Sequence, residues 1–318
     1  YCVILGITKK NNECKLFNNN LWIKVNYINP YLTESNIGCI KNRSSSVSNL
    51  PEIGIGNKPI DGGLYLFSQE EKEKFIINEP ASEPYFRKWW GAQELKSGVC
   101  RWCLFVQSIP EDILESLPLT LQRIKAVQDF RLSSTSKPTQ KLAEIPKKFH
   151  VENFPKQDYI VIPEVSSEVI DYLPIGYITK KDLSSNLLNV LDTDDIFYLS
   201  LLSSKMHLLW VETVSGRFGN GIRYSCGLSY NTFPFPKVTA TQMEKGRIIA
   251  LKILEMREKY SSKSLGKLYS SEMPKDLKEL HLENDRFIES IYKSNPFNDD
   301  SERLNMLFKL YEKMNNRV

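Results

Sequence analysis

The chain has 318 residues, 41% hydrophobic and 25% charged, a balance that suits two ordinary domains and excludes a fibrous or disordered chain. No apolar run approaches the ~18 residues a membrane-spanning helix needs, and the opening YCVILGITKK has neither the basic region nor the cleavage site of a signal peptide. A net charge of +4 permits a nucleic-acid partner without arguing for one, because positive and negative residues are interspersed.

The first seven residues read as a buried strand, and without an initiator methionine they suggest a chain cut from something larger. Residues 15–28 read as a turn and a short strand, and 29–63 as a long loop punctuated by Gly, Asn and Pro. GLYLF (63–67) predicts a strand. Ser68 and Glu71 then fit a capping box that opens a helix over 68–76. RWCLFV (101–106) predicts a buried strand, and Ser108 with Glu111 fits a second capping box. Leu121, Ile124, Val127 and Phe130 form one stripe of a helix over 119–131. YIVIP (159–163) and the stretch around YLPIGYI predict strands. The acidic cluster Asp192, Asp194 and Asp195 caps an apolar segment, IFYLSLLSSKMHLLWVETV, whose length predicts a buried helix. SCGLSYNTF looks strand-like and ends at PFPK. After Pro236 glycines are few and the pattern is helical to residue 318, with Ile248, Ile249, Lys252 and Ile253 near one face. Leu304, Leu307, Phe308 and Tyr311 follow at helical spacing.

The chemistry-bearing residues are sparse. Of six cysteines only Cys100 and Cys103 are close, and a lone CxxC inside a strand lacks the second pair of a zinc site. Buried, reduced thiols in a cytoplasmic protein are the expectation. His150, His207 and His281 are scattered and read as structural. IGNKPIDGG carries Pro59 where a P-loop needs Ser or Thr, and GRFGNG orders its glycines unlike a dinucleotide fingerprint. INPY (28–31) lacks one proline of the NPPY that holds a flipped adenine and reads as a loop. No complete catalytic constellation emerges. GRFGNGIRYS (216–225) stays open between two readings, a plain hairpin with surface arginines and a loop that touches nucleic acid. For the second, Arg217 and Arg223 suit guanine or phosphate, Asn220 suits adenine, and Tyr224 suits stacking or a phosphate.

A set of motifs spread over nearly the whole chain adds a resemblance. They include INPYL (28–32), GNKPIDGG (56–63), EPYFRKWWGAQEL (83–95), RIKAVQDFRLSS (123–134), IPEVSSE (162–168), SSKMHLLWVETVSGR (203–217), RYS (223–225), YNTFPFP (230–236), SLGKLY (264–269) and LFKLYEK (307–313). In order and spacing these resemble the C-terminal part of MmeI-like restriction–modification enzymes. Those enzymes join an endonuclease, an adenine-N6 methyltransferase, a target recognition domain and a C-terminal helical domain in one bacterial polypeptide.

The resemblance implies an α+β fold: a mixed sheet-and-helix recognition domain over 13–236, then a small all-helical domain over 237–318. Residues 1–12 would be the last strand of the upstream methyltransferase domain. It implies double-stranded DNA as partner, beside the upstream methyltransferase and nuclease domains, in the bacterial cytoplasm and with no membrane. S-adenosylmethionine and Mg would serve those upstream domains, with no cofactor and no catalytic residue in this chain. Base recognition would fall on Gly219, Asn220, Gly221 and Arg223, with a second strip at Asn186 and Leu187. Candidates for the DNA backbone are Arg217, Tyr224, Lys58, Arg43, Arg131, Ser166 and Ser167. Two departures stand out. Gly219 and Gly221 leave no long side chain at two reading positions, so Asn220 and backbone groups would have to read there. SSEVID (166–171) lacks two positive charges that relatives carry as SSERR. The alternative is a docking module that reads no bases.

Overall fold

A computed structural model describes residues 5–7, 14–18, 21–36, 38–166, 170–219 and 221–315. Most of the 1–12 strand expected for a preceding domain lies outside them. The described chain opens with an antiparallel hairpin, β1 (Cys14–Asn18) and β2 (Leu21–Val25). The INPY segment is a loop: Asn29 Oδ1 accepts from the amides of Tyr31 and Thr33, both at 3.0 Å.

Next come β3 (Ile53–Ile55), β4 (Leu66–Phe67), α1 (Gln69–Asn78), β5 (Phe86–Trp90), α2 (Ala92–Ser97) and β6 (Arg101–Leu104). The Ser68–Glu71 capping box forms at α1. The second does not. The next helix, α3 (Glu111–Leu114), starts after Pro110, and Ser108 Oγ instead donates back to the Phe105 carbonyl. After α4 (Pro118–Leu132) and α5 (Lys137–Lys141) the chain enters β7 (Tyr159–Pro163), β8 (Gly176–Ile178), β9 (Leu183–Ser184) and β10 (Leu188–Leu191).

Two four-stranded sheets result, ordered β3-β10-β7-β8 and β4-β6-β5-β9. β7 is buried on both faces, so its side chains alternate between two packed layers. Ile160 and Ile162 pack with Leu199, Leu208 and Val211, whereas Tyr159 and Val161 pack with Leu95 and Leu188.

The apolar segment expected as one helix is two, α6 (Phe197–Leu202) and α7 (Lys205–Val214). Ser203 and Ser204 interrupt it, and Ser204 caps α7 by accepting from the His207 amide. A short antiparallel hairpin follows, β11 (Gly216–Phe218) and β12 (Gly221–Arg223). The strand-like CGLSY is a five-residue π-helical turn, because Ser225 Oγ accepts from Leu228 and starts a turn.

Helices α8 (Ala240–Lys259), α9 (Leu265–Leu268), α10 (Lys275–Tyr292) and α11 (Asp300–Asn315) complete the chain. Ile249 and Ile253 of α8 are buried as expected, but Gly246 and Ala250 complete that face while Ile248 is exposed. These helices share one core with the preceding region: Phe197, Trp210, Phe233 and Phe235 cluster with Ile249, Phe287, Leu307 and Phe308. No helix of the described residues is long and apolar enough to cross a membrane.

Candidate nucleic-acid interface

Three segments far apart in sequence meet beside β11–β12. The first is the tight connection from β9 to β10. Asn57 and Trp90 hold it from two sides: the Asn57 amide donates to Ser184 O at 2.7 Å, Asn186 N donates to Asn57 O at 2.8 Å, and Ser185 N donates to Trp90 O at 2.8 Å. This leaves Leu187 outward and half exposed, at 50%. The second is the chain leaving β7, Glu164 to Ser166. The third is the hairpin itself, with its turn at Gly219, where φ is +58° and no described residue crowds the Cα.

Glu164 joins all three. Its amide donates to Leu187 O at 2.9 Å, and its carbonyl accepts from Tyr224 N at 2.8 Å. Its Oε1 takes both Nε and Nη2 of Arg223, each at 3.0 Å. Ser166 N donates to Ile222 O at 3.1 Å, and the backbone packs so closely that a Cβ on Gly221 would lie 2.3 Å from Ser166 O. Gly221 therefore serves close approach of two backbones, which leaves no room there for a side chain. Asn186, Leu187, Gly221 and Arg223 thus lie around one joint, with Lys58 exposed next to Asn57.

Other expected site residues are placed differently. Arg131 is fully buried and is not available to phosphate. Its Nε donates to Ile60 O, Nη1 to Leu142 O and Ile145 O, and Nη2 to Pro59 O and Lys148 O, at 2.8–3.1 Å. All its N–H donors serve the fold. Tyr224 also turns inward, 2% exposed, with Oη 3.2 Å from His207 Nε2, and burial raises its phenol pKa well above the usual value. Ser166 is buried, and its Oγ lacks a partner among the described residues. Arg43 is half-buried and donates to Asn315 Oδ1 at 3.0 Å, at the end of α11. Arg217 is exposed, its Nη2 reaching Glu212 O at 3.4 Å. Ser167 and Asn220 lie outside the described residues.

The histidines read as structural from their spacing include two buried ones. Burial pushes His207 down to about 4 and His281 down to about 3. Among the described residues no group of three His, Cys, Asp or Glu could hold a metal ion. Two residues escaped sequence reasoning. Glu164 follows an uninterrupted apolar strand, and an acid set at that edge was the available signal. Phe218, beside the turn, is 68% exposed, and nothing in its spacing separated it from core aromatics.

The fold and site define a mixed α+β module that presents an exposed, glycine-turned hairpin and is braced by a helical bundle sharing its core. The sequence profile described as "MmeI, target recognition domain" matches residues 34–237, and "MmeI, C-terminal domain" matches 238–318. The chain belongs to the MmeI family, as these two domains. It is 38% identical over 294 residues to DNA methyltransferase A of Bacillus subtilis (strain 168), covering 92% of this chain and 33% of that protein. It also resembles the Type IIL restriction-modification enzyme MmeI solved in complex with DNA, with a TM-score of 0.87 and 39% identity. That match covers 93% of this chain and 40% of the other. The chain thus spans well under half of each relative.

Proposed function

We propose that this chain is the sequence-reading part of a longer restriction–modification polypeptide. Residues 13–236 form the reading domain and 237–318 the helical brace; residues 1–12 end an upstream methyltransferase domain. The reader grips duplex DNA and offers the β11–β12 hairpin and the 184–187 connection to base edges in a groove. Arg223 is the main candidate for direct readout, because its fork suits guanine O6 and N7. Asn186, Leu187, Gly219, Asn220 and the backbone at Gly221 complete the reading surface. Lys58 and Arg217 are the candidates for phosphate, and such contacts make affinity salt-dependent. Upstream domains would then methylate a flipped adenine from S-adenosylmethionine and cut with Mg, inside the bacterial cytoplasm where the DNA lies. No residue of this chain is assigned to either cofactor.

The observation that carries this reading is the convergence of Leu187, Arg223 and Tyr224 on Glu164, which joins two strips of the sequence at one exposed edge. The test is methylation-aware sequencing of DNA from cells expressing the full-length protein or its Arg223→Ala variant. A methylated adenine motif that relaxes or vanishes in the variant supports base reading here. An unchanged motif returns the hairpin to a plain turn and favours the docking-module alternative.

A further inference from the structure

Beneath the hairpin lies a buried polar contact that base reading alone does not require. His207 is completely buried on α7, and its Nδ1 lies 2.9 Å from the carbonyl of Leu202, the last residue of α6. A carbonyl only accepts, so Nδ1 carries the proton and Nε2 is left as an acceptor. The partner available to Nε2 is the Tyr224 hydroxyl at 3.2 Å, which therefore donates. The imidazole also packs edge-on against Phe233, with ring centres 4.8 Å apart. One side chain thus ties the α6–α7 break to the residue that directly follows Arg223.

From Tyr224 the connections run outward. Its amide holds the Glu164 carbonyl, the Glu164 amide holds Leu187 O, and the Glu164 carboxylate holds Arg223. Ile222, on the other side of Arg223, is buried in the same core. The exposed guanidinium is therefore flanked by two buried anchors, one apolar and one hydrogen-bonded.

We infer that His207 and Tyr224 are positioning residues that set the height of Arg223 over the 184–187 connection, so that sequence choice depends on a buried hydrogen bond. This rests on the base-reading function proposed above. A hydroxyl lost from this contact leaves an unsatisfied imidazole nitrogen in the interior, which the backbone relieves by shifting the hairpin. Small displacements of a bidentate contact cost discrimination before they cost binding.

The test uses the full-length protein and methylation-aware sequencing of its DNA. Tyr224→Phe keeps the ring and removes only the hydroxyl. His207→Leu removes the acceptor and is a second route should Tyr224→Phe not accumulate. His207→Gln restores an oxygen acceptor near the Nε2 position. We expect Tyr224→Phe and His207→Leu each to raise methylation at sites with one mismatch about tenfold relative to the cognate site, and the double variant to do no more. His207→Gln should stay close to the parent motif. Val127→Ala, in the separate core around Trp89, supplies a destabilised control and should leave the motif intact. Equal broadening by Val127→Ala would reduce the contact to general stability and overturn the inference. An unchanged motif in Tyr224→Phe and His207→Leu, alongside a changed one in Arg223→Ala, would overturn it while leaving base reading in place. An unchanged motif in Arg223→Ala as well would overturn the reading on which it rests.

Discussion

Arg131 and Arg223 show how differently one side chain is used in two regions of this molecule. Arg131 sits in a cradle of backbone carbonyls from the 59–60 and 142–148 loops, with no solvent contact. Arg223 is exposed at the end of β12, with Glu164 as its one carboxylate partner among the described residues. The first arrangement spends every donor on the fold and makes two loops rigid. The second leaves most donors without a partner among the described residues, and the geometry supported from behind. A surface that must exchange a protein partner for an outside one needs the second kind, and a frame that must not move needs the first.

The largest effect should follow substitution in the cradle. Arg131→Lys offers three donors on a compact ammonium in place of a planar fork, so buried carbonyls go unpaired. A loss of about 3 kcal/mol in urea unfolding is expected, with the methylated motif unchanged. A changed motif at full stability would break the contrast drawn between the two arginines. Next comes pH. His207 and His281 have folded pKa values below the unfolded value of about 6.5, so the stability they contribute is present above that pH and falls away as pH drops through about 4 and about 3. The shift of His207 corresponds to up to about 3 kcal/mol. Denaturant titrations between pH 7 and pH 4 should show that dependence reduced in His207→Gln; identical curves would show that His207 is not held neutral.

Gly221→Ala should cost about 1–3 kcal/mol, because the new methyl meets the Ser166 carbonyl and the hairpin must shift. Here, unlike at Arg131, the methylation motif should change with stability, and an intact motif would show that the hairpin tolerates displacement. Arg217→Ala should lower the salt slope of DNA binding by about 1 while sparing the motif, as for a phosphate contact. The smallest change is expected for Glu164→Gln. An exposed ion pair contributes about 0.2–1 kcal/mol, so thermal stability should barely move, while the motif shifts because Arg223 loses its counter-charge. A large stability loss would mark Glu164 as part of the frame.

Much of this arrangement was legible where a local rule decides the outcome. The Ser68–Glu71 box, the apolar β7, the helices beyond residue 240 and the stripe Leu307, Phe308 and Tyr311 all follow from spacing. Where tertiary partners decide, spacing misled. In α4, Leu121 and Phe130 share a stripe with Val127 yet are exposed, because the Glu79 carboxylate draws in Thr120 and the cradle loops draw in Arg131 instead. Ser203 and Ser204 divided an apolar run whose composition alone looked continuous. At the site, motif matching proposed Asn186, Leu187 and Arg223, which the structure brings around one joint, whereas Glu164 became visible only through pairing across more than 50 positions. Tyr224 shows the converse: a polar tip next to a surface arginine can still point inward, since neighbours on a strand face opposite sides.

The single core shared by Trp210, Phe233, Ile249, Phe287 and Phe308 has a consequence for anyone who would graft parts of this protein. A cut at the start of α8 would divide a continuous apolar interior and expose both halves to water. Among the described residues, the hairpin contributes Ile222 to the apolar interior and the 184–187 connection contributes no side chain to it. The exchangeable unit is therefore smaller than a domain: a few residues of strand and turn, transplanted together with the acid that joins them, onto a reader and brace that travel as one piece.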